Sequence, residues 1–259
     1  MAIILLTNDD GIEAEGLQVL EESIGALAQI VVVAPDREKS AVSHGLTVHD
    51  SLEARQVRAD HYSINGTPAD CVIYALSRIL PVQPVLVISG INHGANLGDD
   101  IMYSGTVAGA REASRRGIPA LAVSQAYEDR PVRFHKAGKF VKTLVRTMLA
   151  KRSDGGIFLN VNIPVRRIRG VKITRQGCAL HFPHFNSLER RSGEGETMPV
   201  AETEASRSSI PLDFQAVWEG FVSITPLQRD QTDYATADQL LKEGQLIRRF
   251  RLPGMGLIG

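Results

Sequence analysis

The sequence predicts an α/β protein built on an open, doubly wound and mostly parallel sheet between two layers of helices. Short continuous apolar runs, typical of strands buried on both faces, alternate with amphipathic helical segments from residue 2 to about residue 163. Polar loops follow several of the predicted strands, and ligands of doubly wound folds bind beyond the carboxyl ends of the strands.

The first three predicted elements form a βαβ unit. The run AIILLT (2–7) predicts a buried strand, and apolar residues from Leu17 to Leu27 recur at the spacing of a helix that extends to residue 28. The run QIVVVAP (29–35) predicts a second buried strand. Such a unit implies parallel strands joined by a right-handed crossover.

The alternation continues along the chain. Thr67 is a candidate N-cap for a helix that begins at Pro68. Residues 44–66 are typical of a short antiparallel ribbon. The remaining predicted elements are a strand at 84–92, a helix at 104–117, a strand at 118–124, a helix at 134–151 and a strand at 157–164.

The composition changes after Pro164, which predicts a core over 1–163 and a C-terminal extension over 164–259. The polar segment 189–211 is typical of an exposed loop or hairpin tip. A helical turn with a strand (214–227) and a late helix (235–244) follow. We expect this extension to pack against the core or a second subunit.

The composition indicates which classes of partner and which cellular compartment suit the protein. Lys+Arg and Asp+Glu both number 29, which argues against a nucleic-acid polymer or an anionic membrane as the main partner. Two cysteines suit a reducing compartment. The N-terminus lacks the basic region of a signal peptide, and no apolar run approaches the ~20 residues of a membrane span. We expect a cytoplasmic protein.

An acidic pair, Asp9 and Asp10, directly follows the first predicted strand. The loops after the second and third strands, 35–44 and 89–106, supply Ser, Asn and further Asp side chains. These hard oxygen donors suit Mg²⁺, Mn²⁺ or Ca²⁺. A cation between the two acids would offset their repulsion, although a solvated turn with a helix N-cap is an open alternative.

An anion site is predicted where the helix after the third strand begins. Ser104, Gly105 and Thr106 combine hydroxyls with the unpaired amides of a helix N-terminus, although a plain Ser/Thr cap is the alternative. The glycine fingerprint of dinucleotide-binding folds is absent after the first strand, and no Walker-type loop occurs. A hard-metal site beside an anion cradle favours phosphate ester hydrolysis.

Five stretches resemble the SurE family of stationary-phase survival proteins, which are metal-dependent 5′-nucleotidases. They are LTNDDGIEAEG, VVVAPDREKSAVSH, NGTPADCV, VISGINHGANLGDDIMYSGTVAGAREA and GFVSITPL, in family order from residue 6 to 227. The resemblance implies a Rossmann-like core whose C-terminal extension is exchanged between subunits, giving a homodimer or homotetramer.

The resemblance also implies a site. It assigns one divalent cation per subunit, Mg²⁺ or Mn²⁺, to Asp9, Asp10, Ser40 and Asn92. It places Asn96 and the Ser104-Gly105-Thr106 turn at the phosphate. On this reading Asp9 or Asp10 also accepts the proton of the attacking water, and His44 is a weaker candidate for contacting the phosphate or leaving group.

The implied reaction is hydrolysis of nucleoside 5′-monophosphates, with 3′-monophosphates left open. An exopolyphosphatase or another small phosphoester hydrolase could use the same site. A phospho-receiver module is a remote alternative, because it needs an Asp at the third strand's end and a Lys after a later strand. Those places hold Ser89–Asn92 and Ser124-Gln125.

Overall fold

The computed structural model describes residues 2–127, 132–151, 156–165, 167–178 and 208–243. The strands within these ranges are β1 (Ile3–Thr7), β2 (Gln29–Pro35), β3 (Ala54–Arg58), β4 (His61–Ile64), β5 (Leu86–His93), β6 (Ala120–Gln125), β7 (Phe158–Ile163), β8 (Gly170–Ile173) and β9 (Phe221–Pro226). The α-helices are α1 (Glu15–Ile24), α2 (Pro68–Tyr74), α3 (Gly105–Arg115), α4 (His135–Lys151), α5 (Asp213–Trp218) and α6 (Tyr234–Glu243). A π-helical segment (Ala75–Ile79) follows α2, and a 3₁₀ helix (Gly98–Met102) precedes α3.

All nine of these strands belong to one sheet, in the order β3-β4-β2-β1-β5-β6-β7-β9-β8. Neighbours are parallel except β3 with β4 and β7 with β9, which are antiparallel. The sheet is therefore mixed but mostly parallel, which confirms the predicted fold class. The antiparallel ribbon predicted within 44–66 is the β3–β4 pair.

The order of the strands reverses at β1. The chain passes from β1 to β2 on one side and later returns to β5 on the other side of β1. A crevice forms at such a point, outside the carboxyl ends of the two strands, because the loops that leave them diverge to opposite sides. The acidic pair follows β1 and Asn92 lies near the end of β5, so the topology brings both to this crevice.

Alternate side chains of β1 pack into two separate hydrophobic cores. Ile4 and Leu6 face the core formed with α1 and α4, whereas Ile3 and Leu5 face the core formed with α2 and α3. The side chains of a strand alternate between faces, so an all-apolar β1 fits a sheet covered on both sides. Helices α1 and α4 thus form one outer layer and α2 and α3 the other, in a three-layer arrangement.

The sheet continues beyond the core boundary predicted at residue 163. Strand β9 pairs with β7, and β8 pairs with β9 at the edge. The chain divides into two compact units, Met1–Leu227 and Gln228–Gly259. The division into a core and an exchanged extension stays a prediction, and most of segment 189–211 lies outside the described residues.

Two further details differ from the sequence analysis. Strand β8 has no counterpart there, because its four residues alternate between half-buried and exposed positions and give a weak apolar signal. Helix α1 ends at Ile24, with Gly25 as its C-cap, although the apolar spacing predicted a helix up to residue 28. Within the ranges described above, no helix has the length and apolar character needed to cross a membrane.

Candidate metal and phosphate site

A tight turn presents the acidic pair at the crevice. The side-chain amide of Asn8 donates to the carbonyl of Gly11 over 2.8 Å, and the Gly11 N–H donates back to Oδ1 of Asn8 over 3.3 Å. Gly11 has a φ of +104°, which favours glycine. The Ile12 N–H donates to the carbonyl of Pro35, so the turn is fastened to the end of β2.

Asp9 lies against the N-terminus of α3. Its side chain is buried, and the hydroxyl of Thr106 donates a hydrogen bond to its Oδ1. A Cβ on Gly105 would lie only 2.9 Å from Oδ2 of Asp9, so the absence of a side chain at this position makes room for the carboxylate. Burial raises the pKa of Asp9 to about 7 against the lowering effect of the Thr106 hydrogen bond, and the neighbouring charge of Asp10 raises it further.

Asp10 is the second member of the acidic pair. Two neighbouring carboxylates that are both charged repel each other unless a cation lies between them. Its Oδ2 accepts the N–H of His93 over 3.4 Å. Burial raises the pKa of Asp10 as well, against the lowering effect of this hydrogen bond. A divalent cation between two such carboxylates would favour their charged forms, because an opposite charge within a few ångströms lowers the pKa of an acid.

The loop that carries Ser40 is attached beside Asp9. The Lys39 N–H donates to the carbonyl of Asp9 over 2.7 Å, and the Ser43 N–H donates to the carbonyl of Tyr103 over 2.9 Å. Ser40 itself is exposed, and its hydroxyl donates to Oε1 of Glu38 over 2.7 Å. The oxygen of this hydroxyl keeps its lone pairs for a ligand.

Asn92 lies at the other side of the acidic pair. Its side-chain Nδ2 donates to the carbonyl of Gly94 over 2.9 Å, which leaves Oδ1 as the atom that can coordinate a cation. The structure therefore brings the loops that carry the four predicted oxygen ligands to one edge of the sheet. This donor set fits Mg²⁺ or Mn²⁺, and the described ranges contain no cluster of three His, Cys, Asp or Glu residues that would suit another metal.

The predicted phosphate residues at the start of α3 have partners within the protein. Ser104 is the N-cap, and its Oγ accepts the N–H of Val107 over 3.1 Å. The hydroxyl of Thr106 donates its hydrogen bond to Asp9, so this residue orients the Asp9 carboxylate. The N-terminal amides of α3 lie beside the acidic pair, as an anion site there requires.

Asn96 is part of the loop after β5, and it lies in a buried polar network. Its side-chain Nδ2 donates to Oγ of Ser124 over 2.7 Å, and its backbone N–H donates to Oδ1 of Asn162 over 2.8 Å. The side-chain amides of Asn160 and Asn162 both donate to the Asn96 carbonyl. These contacts show that Asn96 fixes the loop on β6 and β7, and its contact with phosphate stays a prediction.

His44 is paired with Glu112 on α3. Its Nε2 lies 3.1 Å from Oε2 of Glu112, seven residues along the helix from Gly105, a rise of about 10 Å. Burial by itself raises the pKa of Glu112, but the hydrogen bond and charge of His44 and the charges of Arg116 and Arg115 hold it below its ordinary value. The contact of His44 with the substrate stays a prediction.

Two supporting residues were not predicted. Asn8 holds the acidic turn, and its position before Asp-Asp-Gly is typical of a side chain that bonds a nearby backbone group. Asp213, at the start of α5, accepts the N–H of Gly98 over 2.8 Å and that of Gly177 over 3.1 Å. Gly98 is 115 residues away in the chain, so no local pattern could reveal this support of the loop after β5.

Comparison with known proteins identifies the family of this chain. The family model described as Survival protein SurE matches residues 4–181, which include every predicted ligand. The chain belongs to the SurE family.

Relatives match this SurE-family chain over most of its length. The protein named 5′-nucleotidase SurE from Pelobacter propionicus is 42% identical over 238 residues, which cover 90% of this chain and 96% of the relative. The protein of the same name from Syntrophotalea carbinolica is 40% identical, with 92% and 96% covered. The crystal structure of the Sure protein from Aquifex aeolicus matches with a TM-score of 0.76 and 37% identity, covering 95% of this chain and 99% of the other.

Proposed function

We propose that this SurE-family chain is a metal-dependent phosphatase that hydrolyses nucleoside 5′-monophosphates to a nucleoside and phosphate. The observation that carries the proposal is the Asp9 carboxylate, buried beside Asp10 and held by Thr106 at the N-terminus of α3. An acidic pair and a helix N-terminus at one place suit a cation and an anionic ester together. The name 5′-nucleotidase SurE of the relatives supports the choice of substrate.

We assign one Mg²⁺ or Mn²⁺ per chain to Asp9, Asp10, Ser40 and Asn92. When bound, the cation supplies charge that stabilises the phosphoryl oxygens and promotes the ionisation of water. The support for this ligand set is that Lys39, next to Ser40, bonds the Asp9 carbonyl and that His93, next to Asn92, bonds Asp10.

The protein groups then orient the ester and handle the proton. The Gly105 amide at the start of α3 donates to a remaining phosphate oxygen, with the Ser104 hydroxyl beside it. Asp9 or Asp10 accepts the proton of the attacking water. We include Asn96 and His44 as weaker candidates for the phosphate and the leaving group.

The test is a substrate panel on EDTA-treated protein to which Mg²⁺ or Mn²⁺ is returned. We expect phosphate release from adenosine 5′-monophosphate only with metal. The rate of this release should be at least a hundredfold lower in Asp10→Asn than in the wild type. Glu15→Gln is the matched control, because Glu15 is an exposed carboxylate in the first turn of α1 and is not one of the proposed ligands. Metal-independent hydrolysis would contradict the proposal.

The same panel includes adenosine 3′-monophosphate and inorganic tripolyphosphate. Faster hydrolysis of tripolyphosphate than of the 5′-monophosphate would favour an exopolyphosphatase. Faster hydrolysis of the 3′-monophosphate would support a metal-dependent phosphatase whose preferred substrate is the 3′-monophosphate.

We also propose that the protein is a cytoplasmic homodimer or homotetramer, associated through the extension over 164–259. Support comes from edge strand β8, on which Val171 and Ile173 are 49% and 58% exposed. Exposed apolar side chains on an edge strand favour contact with another chain. Light scattering during gel filtration tests this assembly, and a monomer at micromolar concentration would contradict it.

A further inference from the structure

A pair of stacked aromatic rings lies at the crevice beside the acidic pair. The rings of His93 and Tyr127 have centroids 4.8 Å apart and planes inclined by 27°. Both residues are exposed, and Tyr127 keeps 52% of its surface accessible. An exposed ring contributes little to the core of the folded chain, so the pair offers stacking surface to a ligand.

The two strands at the crevice hold this pair in place. His93 is the last residue of β5, and Tyr127 lies two residues beyond the end of β6. The Gly94 N–H donates to the carbonyl of Gln125 over 3.0 Å, which ties the two loops together. The buried ring of Phe134 meets His93 at 6.5 Å from the core side. The rings are therefore positioned before any ligand arrives, which limits the entropy lost on binding.

The aromatic pair is continuous with the proposed phosphate site. The backbone N–H of His93 lies 3.4 Å from Oδ2 of Asp10, and Asn92 directly precedes His93. An ester whose phosphate binds at Asp9 and Asp10 must extend the rest of the molecule away from the acids. A planar base on that ester has the exposed face of this pair within its reach.

We propose that His93 and Tyr127 form the platform on which the nucleobase of the substrate stacks, an inference that rests on the proposed function. Stacking accepts every base, because each base has a π face. The platform supplies binding to a part of the substrate that does not react. Its loss should therefore change KM more than kcat.

The test compares two substrates that differ in the base. Adenosine 5′-monophosphate carries it, and ribose 5-phosphate lacks it. We expect Tyr127→Ala to raise KM for the nucleotide about tenfold, with kcat within twofold and the KM for ribose 5-phosphate unchanged. Tyr127→Phe keeps the ring and should behave like the wild type. Tyr234→Ala, at a tyrosine that is 64% exposed, is the matched control.

Each other outcome rejects the platform in a recognisable way. If Tyr127→Ala raises KM equally for both substrates, Tyr127 supports the site without contacting the base. The platform proposal is wrong if Tyr127→Ala leaves KM for the nucleotide unchanged, or if the wild type uses ribose 5-phosphate as efficiently as the nucleotide. The proposed phosphatase activity is not contradicted by either result. If the wild type hydrolyses neither substrate, the proposed function itself fails and the platform with it.

Discussion

The hydroxyl of Thr106 donates a hydrogen bond to the carboxylate of Asp9, 97 residues away in the chain. This contact joins the turn after β1 to the first turn of α3, so the acid and the helix N-terminus form one structural unit. It also uses the single proton of that hydroxyl, which fixes the orientation of the carboxylate.

Removing this donor should weaken metal binding. Thr106→Val keeps the shape of the side chain and deletes its hydroxyl, so Asp9 loses the bond that orients it. We expect the metal concentration for half-maximal activity to rise about 10- to 100-fold. Thr106→Ser retains the hydroxyl and is the control. Identical metal titrations for Thr106→Val and Thr106→Ser would contradict this role of the hydroxyl.

Adding one methyl group at Gly105 should displace Asp9. The new Cβ would lie 2.9 Å from both Cβ and Oδ2 of Asp9 and 3.2 Å from Val42. The carboxylate must then move, and we expect Gly105→Ala to lose at least tenfold in kcat/KM, measured by phosphate release. Gly170→Ala is the matched control, because its nearest contact would be an ordinary 3.4 Å from Phe221. Unchanged kinetics in Gly105→Ala would show that the site tolerates the shift.

The raised pKa of Asp9 should make the metal-free protein less stable as the pH rises. Burial raises the pKa of Asp9 in the folded state to about 7 from an ordinary 3.8. Between these values the folded state holds a proton that the unfolded state has lost, so the free energy of unfolding falls with pH and levels off above about 7.

Urea unfolding of EDTA-treated protein at pH 5 and pH 8 measures this effect. Relative to Asp9→Asn, which carries no ionisable group, the wild type should lose about 2–3 kcal/mol between the two pH values. Glu15→Gln should follow the wild type. Parallel pH profiles for the wild type and Asp9→Asn would contradict the raised pKa.

The contact between His44 and Glu112 should stabilise the loop that carries His44. Glu112→Gln removes the charge from a carboxyl that is almost buried, and we expect a loss of about 1–3 kcal/mol at pH 7. The pKa of Glu112 is lowered in the folded state, so this contribution is present above the unfolded value and fades as pH falls through the folded value. The difference between wild type and variant should therefore shrink in acid, and a constant difference would show that packing alone is involved.

Local patterns were enough to predict the fold class and the loops of the site. Apolar runs marked β1, β2 and β5, and the acidic pair directly follows the first of them. Because parallel strands end at the same edge of a sheet, the polar loops that follow them converge there. The capping residues Thr67 and Ser104 also marked the starts of α2 and α3, as the structure confirms.

Contacts between distant parts of the chain were not predictable. The bond from Thr106 to Asp9 and the stack of His93 on Tyr127 depend on how the helices and strands pack, not on a local motif. Edge strand β8 was missed because its position beside β9 is decided by tertiary pairing.

The central claim is that Asp9 and Asp10 hold a divalent cation, and Mn²⁺ binding tests it most directly. Isothermal titration of EDTA-treated protein at pH 7.5 should give one ion per chain for the wild type and for Glu15→Gln, with binding weakened at least a hundredfold in Asp10→Asn. Equal Mn²⁺ affinity in the wild type and Asp10→Asn, or no binding by the wild type, would contradict the account.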